Sequence, residues 1–113
     1  NAGHPPPVLF TSDGTRRLDI GGTILGPLED SVFDRGFAFI DPGELLLLYT
    51  DGIPEARGPE GEMFGATRLE ELVSSNRQRS AAEIIDLVYR AIREFTGADA
   101  LEDDATAVVI RRL

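Results

Sequence analysis

Two apolar runs in this chain have acidic side chains at one end. Leu45-Leu46-Leu47-Leu48 runs into Tyr49-Thr50-Asp51-Gly52, and Glu102-Asp103-Asp104-Ala105-Thr106 leads into Ala107-Val108-Val109-Ile110. A carboxylate delivered to the end of a strand can ligate a hard metal ion, and two such ends that meet in space can build a site. Asp51-Gly52 taken alone reads as a turn, since Asp-Gly is a common turn pair; the leucine run before it shifts the reading toward a site. Asp103 and Asp104 taken alone read as a solvated acidic stretch or a cap. Adjacent carboxylates repel, however, and a divalent cation in oxygen-rich surroundings stabilises them. With no cysteine and one histidine, the donors suit Mg²⁺ or Mn²⁺ rather than zinc or copper.

Other chemistries find few residues to use. His4, in a Gly-Pro loop, reads first as structural or exposed and only second as an acid or base. No Ser-His-Asp or Cys-His set is available, nor a Gly-x-Ser-x-Gly elbow, nor a glycine loop followed by Lys-Ser or Lys-Thr. Metal-activated water is the enzymatic option that remains.

The elements that must carry these carboxylates follow from turn signals and periodicity. Asn1-Ala2-Gly3-His4-Pro5-Pro6-Pro7 is an extended loop, and a first residue other than Met reads as a cut through a longer sequence. Val8-Leu9-Phe10-Thr11 is a strand, Asp13-Gly14 a hairpin signal, and Arg16-Arg17-Leu18-Asp19-Ile20 the returning strand. Val32 to Ile40 alternates well enough for a further strand, closed by Asp41-Pro42-Gly43. Glu44 to Thr50 reads as a strand covered on both faces, with a short buried helix as the alternative by periodicity alone. Ile53 to Gly61, rich in Gly and Pro, leaves its end as an irregular loop of the kind that often carries function. Ala66 to Asn76 has helical spacing. Ser80-Ala81-Ala82-Glu83 matches a capping box, and it starts a second helix whose stripe of Ile84, Leu87, Val88, Ala91, Ile92 and Phe95 ends at Gly97. Thr106 to Arg111 is the last strand.

Composition narrows the setting. A chain of 113 residues with 42% hydrophobic content fits one globular domain. Its net charge of −9, with no clustering of basic residues, opposes nucleic-acid binding. The lack of cysteine is compatible with a reducing cytoplasm. No apolar stretch approaches the roughly 20 residues that span a bilayer, so no membrane contact is expected from this chain.

Taken in order, Asn1-Ala2-Gly3-His4-Pro5-Pro6, Gly43 through Gly52, Glu55-Ala56-Arg57, Phe64-Gly65-Ala66-Thr67-Arg68-Leu69 and Asp103-Asp104-Ala105-Thr106 resemble the PPM-type (type 2C) serine/threonine phosphatases, in the bacterial SpoIIE/RsbU-like branch. The resemblance runs over essentially the whole chain. It implies an α+β fold, the αββα sandwich, with residues 1–113 forming the C-terminal portion of a single phosphatase domain. It also implies a pair of Mn²⁺ or Mg²⁺ ions, with metal-activated water attacking a phosphoserine or phosphothreonine of a regulatory protein such as an anti-sigma-factor antagonist. By position, Asp51 and Asp103 would be the metal-ligating catalytic residues. Asp104 would support them, Thr106 would hold the turn, Gly52 would allow close backbone approach, and Asn1, Gly3 and His4 would line the loop near the metals.

The chain departs from the family in lacking the earlier Gly-Gly-Asp and Gly-Lys-Gly-type segments, and with them the bridging aspartate. Gly58 stands where Asn is frequent. If the missing half contributes strands, exposed sheet edges would favour association or a homodimer. A non-catalytic, phosphatase-like interaction module is the alternative function.

Overall fold

The computed structural model describes residues 1–97 and 103–113. Six elements follow one another: β1 (Val8–Thr11), β2 (Gly14–Arg17), β3 (Leu45–Tyr49), α1 (Ala66–Ser75), α2 (Ala81–Thr96) and β4 (Ala107–Arg111). The strands form one antiparallel sheet in the order β2-β1-β3-β4. Segments distant in sequence therefore become neighbours, because β3 pairs with β4 from Leu45↔Arg111 through Tyr49↔Ala107.

Side chains alternate across a strand, so the register decides which of them face the helices. Val8, Phe10, Leu45, Leu47 and Tyr49 share a core with Leu69 and Val73 of α1 and Ile84, Val88 and Ile92 of α2. Leu45, Leu47, Leu69 and Val88 are each 0% exposed. On the other face, Leu46 and Leu48 are half-buried, and Val108 and Ile110 are each 47% exposed. A groove of about 690 Å³ runs over that face, bounded in part by Leu9, Ile20, Phe37, Ile40, Leu46 and Leu48. The four-leucine run is thus fully covered on one face and half covered on the other, short of the two-sided burial expected.

The helices start where their sequences direct. At α2 the Ser80 hydroxyl accepts from the Glu83 N–H while the Glu83 carboxylate accepts from the Ser80 N–H at 2.9 Å, which is the capping box. Gly97 ends the helix in the left-handed region at φ 66°, its N–H donating to the Arg93 carbonyl. The segment from Ile53 to Phe64 is more ordered than an irregular loop. Ile53, Ala56 and Phe64 enter the core, and Arg57 bridges Met63 in a small hairpin. A 2.8 Å ion pair between Arg17 and Glu70 ties β2 to α1. That bond and the Glu70 charge hold the Arg17 guanidinium above its usual range. Tyr49 is pushed up by burial first and by Glu70 second.

Two expectations differ from the structure. Val32 to Ile40 is not a strand: the stretch lies across the groove, with Phe37 and Phe39 87% and 76% exposed and packed edge to face on each other. Alternation makes a strand only where a neighbour completes the ladder, and none of the described strands pairs with this segment. The returning strand spans Gly14–Arg17 rather than 16–20. The tight turn sets Thr11 opposite Gly14, so pairing reaches Val8↔Arg17 and stops where Pro5-Pro6-Pro7 offers no N–H donors. One further bond, from Leu18 N–H to the Pro7 carbonyl at 2.8 Å, lies beyond it.

Candidate metal centre

Asp51 lies two residues past the end of β3, and Asp104 lies three residues before the start of β4. Because those strands pair, their ends meet. The Thr50 N–H donates to the Thr106 carbonyl at 3.0 Å, and the Thr106 N–H donates to the Thr50 hydroxyl at 2.9 Å. The same hydroxyl donates to the Asp104 carbonyl at 3.4 Å. Gly52 is buried against this turn: a Cβ there would lie 2.2 Å from the Asp104 carbonyl oxygen, so only glycine permits the approach. The sequence expectation that the two acidic segments come together is what the strand pairing produces.

The backbone then folds back. Ile53 N–H donates to the Thr50 carbonyl at 3.2 Å and Glu55 N–H to the Asp51 carbonyl at 3.0 Å, so Asp51 sits at the head of a tight turn. The Asp103 carboxylate accepts from the Asp104 N–H at 2.7 Å. Asp51, Asp103 and Asp104 are all exposed, and the two ion pairs among the described residues, Arg17–Glu70 and Arg79–Glu83, involve none of them. Glu102, the first acid of the second cluster, lies outside the described residues.

This donor set fits a hard divalent cation in kind. It offers carboxylate oxygens from two strand ends, in no ion pair among the described residues, around a glycine that leaves room for close approach. Among the described residues no three His, Cys, Asp or Glu side chains cluster as a full ligand set, so this chain offers part of a coordination sphere.

The N-terminal residues make other contacts. Asn1 donates from its amide to the His4 carbonyl at 2.9 Å and accepts the His4 N–H at 3.0 Å, while the Asn1 carbonyl accepts the Gly22 N–H. Gly3, at φ 85°, packs where a side chain would strike Ile24. His4 Nδ1 lies 2.9 Å from the Pro5 carbonyl, and Asn1 and His4 border the groove. Among the described residues no hydrogen bond joins Asn1, Gly3 or His4 to Asp51 or Asp103.

Two residues of the site were missed in the sequence. In the sequence Thr50 reads only as the end of a strand, and Tyr89, which donates to the Ala105 carbonyl at 2.8 Å, only as part of a helix. The available signal was chemical: a half-buried Tyr places its hydroxyl where a partner accepts it.

Comparison with known proteins gives the family and the fold. The family model described as Stage II sporulation protein E (SpoIIE) matches residues 1–113. Protein IcfG of Synechocystis is 35% identical over 113 residues, covering 99% of this chain and 18% of that protein. Phosphoserine phosphatase RsbU of Bacillus subtilis is 25% identical over 114 residues, covering 99% of this chain and 33% of its own length. Among solved structures, the SiaA PP2C domain of Pseudomonas aeruginosa superposes with a TM-score of 0.77 at 20% identity, covering 97% of this chain and 44% of that one; at this identity the likeness is one of fold. The chain thus spans less than half the length of the relatives it matches. It belongs to the SpoIIE family, and its sheet and helices are part of a PP2C-type phosphatase fold.

Proposed function

We propose that this chain supplies one wall of the metal centre of a protein phosphatase that hydrolyses phosphoserine or phosphothreonine on a regulatory protein. The observation that carries the reading is the closure of the Asp51 strand end onto the Asp103-Asp104 turn, without room for any residue but glycine at position 52. Family membership and the likeness to a phosphoserine phosphatase support the same class of reaction. Asp51 and Asp103 are the residues that would hold Mn²⁺ or Mg²⁺, with Asp104 behind them. Such ions supply Lewis acidity toward phosphoryl oxygens and make bound water a nucleophile near neutral pH.

The residues of the chain have separate tasks. Asp51 and Asp103 bring negative charge to a solvent-facing edge open to a phosphoprotein. Gly52 and Thr106 keep the two backbones in contact, and the Glu55-to-Asp51 turn fixes the direction in which β3 leaves the site. Asn1, Gly3 and His4 form a second loop whose part would be to border the approach of the substrate. The expected setting is cytoplasmic signalling through sigma-factor regulation, and among the described residues no helix is long and apolar enough to cross a membrane. Association of two copies through the exposed sheet edges, β2 or β4, belongs to the same proposal.

The test uses the full-length protein, because this chain spans 44% of the solved phosphatase chain it matches. Phosphate release from a phosphoserine protein is measured across Mn²⁺ and Mg²⁺ titrations, for wild type and Asp51→Asn. Metal-dependent turnover that Asp51→Asn abolishes is the expected result. A folded protein with no turnover at any metal concentration would instead be an interaction module that keeps the phosphatase fold without its chemistry.

A further inference from the structure

The ladder between β3 and β4 ends at Tyr49↔Ala107, yet the two strand ends stay together one step further, through a backbone bond from Thr50 N–H to the Thr106 carbonyl and through a side chain. The Thr50 hydroxyl lies between both acid-bearing segments, accepting from Thr106 N–H at 2.9 Å and donating to the Asp104 carbonyl at 3.4 Å. A hydroxyl can do both at once, having one donor and two acceptor positions. The same turn is held from the helix layer by Tyr89, whose hydroxyl donates to the Ala105 carbonyl at 2.8 Å. Three consecutive residues, 104 to 106, are thus pinned from two directions by groups that carry no charge.

We infer that Thr50, backed by Tyr89, is a positioning residue: its hydroxyl sets the separation of the Asp51 and Asp103 carboxylates, and with it the affinity of the site for Mn²⁺. The inference rests on the phosphatase reading above. Asp51 follows Thr50 directly and Asp103 precedes the pinned turn directly, so a shift of either backbone moves a ligand. Among the described residues no ion pair holds either carboxylate, and both are exposed. Their placement therefore depends on the backbone, which is joined here by one backbone bond, Thr50 N–H to the Thr106 carbonyl, and by the two hydroxyls, which among the described residues alone reach the carbonyls of residues 104 and 105. Groups that orient a ligand without touching the metal commonly change its affinity by about 10–100-fold.

The experiment compares Thr50→Val, Thr50→Ser, Tyr89→Phe and Asp51→Asn in the full-length protein. Mn²⁺ affinity is read by titration calorimetry, and folding by thermal melting. Valine keeps the shape and suits a strand but can neither donate nor accept, whereas serine keeps the hydroxyl. The expected result is a loss of Mn²⁺ affinity of about tenfold or more in Thr50→Val, with Thr50→Ser near wild type. A folded Thr50→Val that binds Mn²⁺ as wild type overturns the inference. Should Thr50→Val not fold, Tyr89→Phe decides: weakened Mn²⁺ binding supports the inference, and unchanged binding overturns it. Asp51→Asn separates the two levels of the argument. Binding lost in Asp51→Asn but kept in Thr50→Val removes the positioning role alone, while binding kept in both removes the metal-site reading as well.

Discussion

The two faces of the sheet are built from the same strands and have different fates. Toward the helices, Leu45, Leu47 and Tyr49 are buried, and the side chains that meet them from α1 and α2 are buried too. Away from the helices, Leu46 and Leu48 are half-buried, and their partners Ile110 and Val108 are each 47% exposed. Alternate residues of one leucine run thus stand in a finished core and on an unfinished one. The amphipathic helices follow the 3.6-residue period and need only the sheet to cover, so the first face closes within this chain. The second needs a layer these residues do not provide, and the segment from Ile20 to Ile40 covers it only in part.

The comparison can be broken most directly at Leu47, which is 0% exposed. Leu47→Ala is expected to cost about 2–5 kcal/mol, the range for truncating a buried leucine. Urea unfolding of the chain reads this, and a loss below about 1 kcal/mol would mean that the helix face is not the core it forms here. Ile110→Ala sharpens the contrast from the other side. With about half its surface already in water, Ile110 is expected to contribute only about 1–2 kcal/mol in this chain. The same substitution in the full-length protein should cost more, by an amount that measures how far the second face is covered there. Equal costs in the two settings would show that the face stays open.

How much of this could be read from residues alone depends on whether the signal was local. The hairpin near Asp13-Gly14, the capping box at Ser80 and the stop at Gly97 are local; the cap and the stop appear where the sequence puts them, and the hairpin turns one residue earlier, at Ser12-Asp13, with Gly14 already paired to Thr11. The meeting of Asp51 with Asp103-Asp104 was legible through family motifs rather than through spacing, since Asp51 and Asp103 stand 52 positions apart and strand order is a property of the whole fold. Val32 to Ile40 misled because alternation reports a face to be buried and says nothing about a partner to pair with. Thr50 and Tyr89 stayed hidden for a related reason. Each has an ordinary place in its own element, and their contacts to residues 104–106 exist only after the strands have paired.

The finished face also depends on α2 being held at its start, which gives a smaller prediction. Ser80→Ala removes the cap acceptor for the Glu83 N–H and is expected to cost about 1 kcal/mol, well below Leu47→Ala. Urea midpoints of the two variants, measured together, rank cap against core.

The smallest effect concerns pH. The Ser80 hydroxyl and the Ser80 N–H both donate to the Glu83 carboxylate, in that order of weight, and hold it below the usual glutamate range. A depressed carboxyl binds its proton more weakly when folded than when unfolded. Its contribution is therefore complete above the usual glutamate range and is lost as pH falls through the lower, folded value. Protonation removes the carboxylate's part of the box but not the bond from the Glu83 N–H to the Ser80 hydroxyl, which does not titrate. The stability gap between wild type and Ser80→Ala should accordingly be widest near neutral pH and should narrow, without closing, as pH is lowered from about 6 to 3. Chemical denaturation at several pH values measures that gap. The Ser80 N–H bond to the carboxylate is common to both proteins, so a gap that stays constant would mean that the bond from the Ser80 hydroxyl to the carboxylate contributes nothing, and that the hydroxyl holds the start of α2 only as acceptor of the Glu83 N–H.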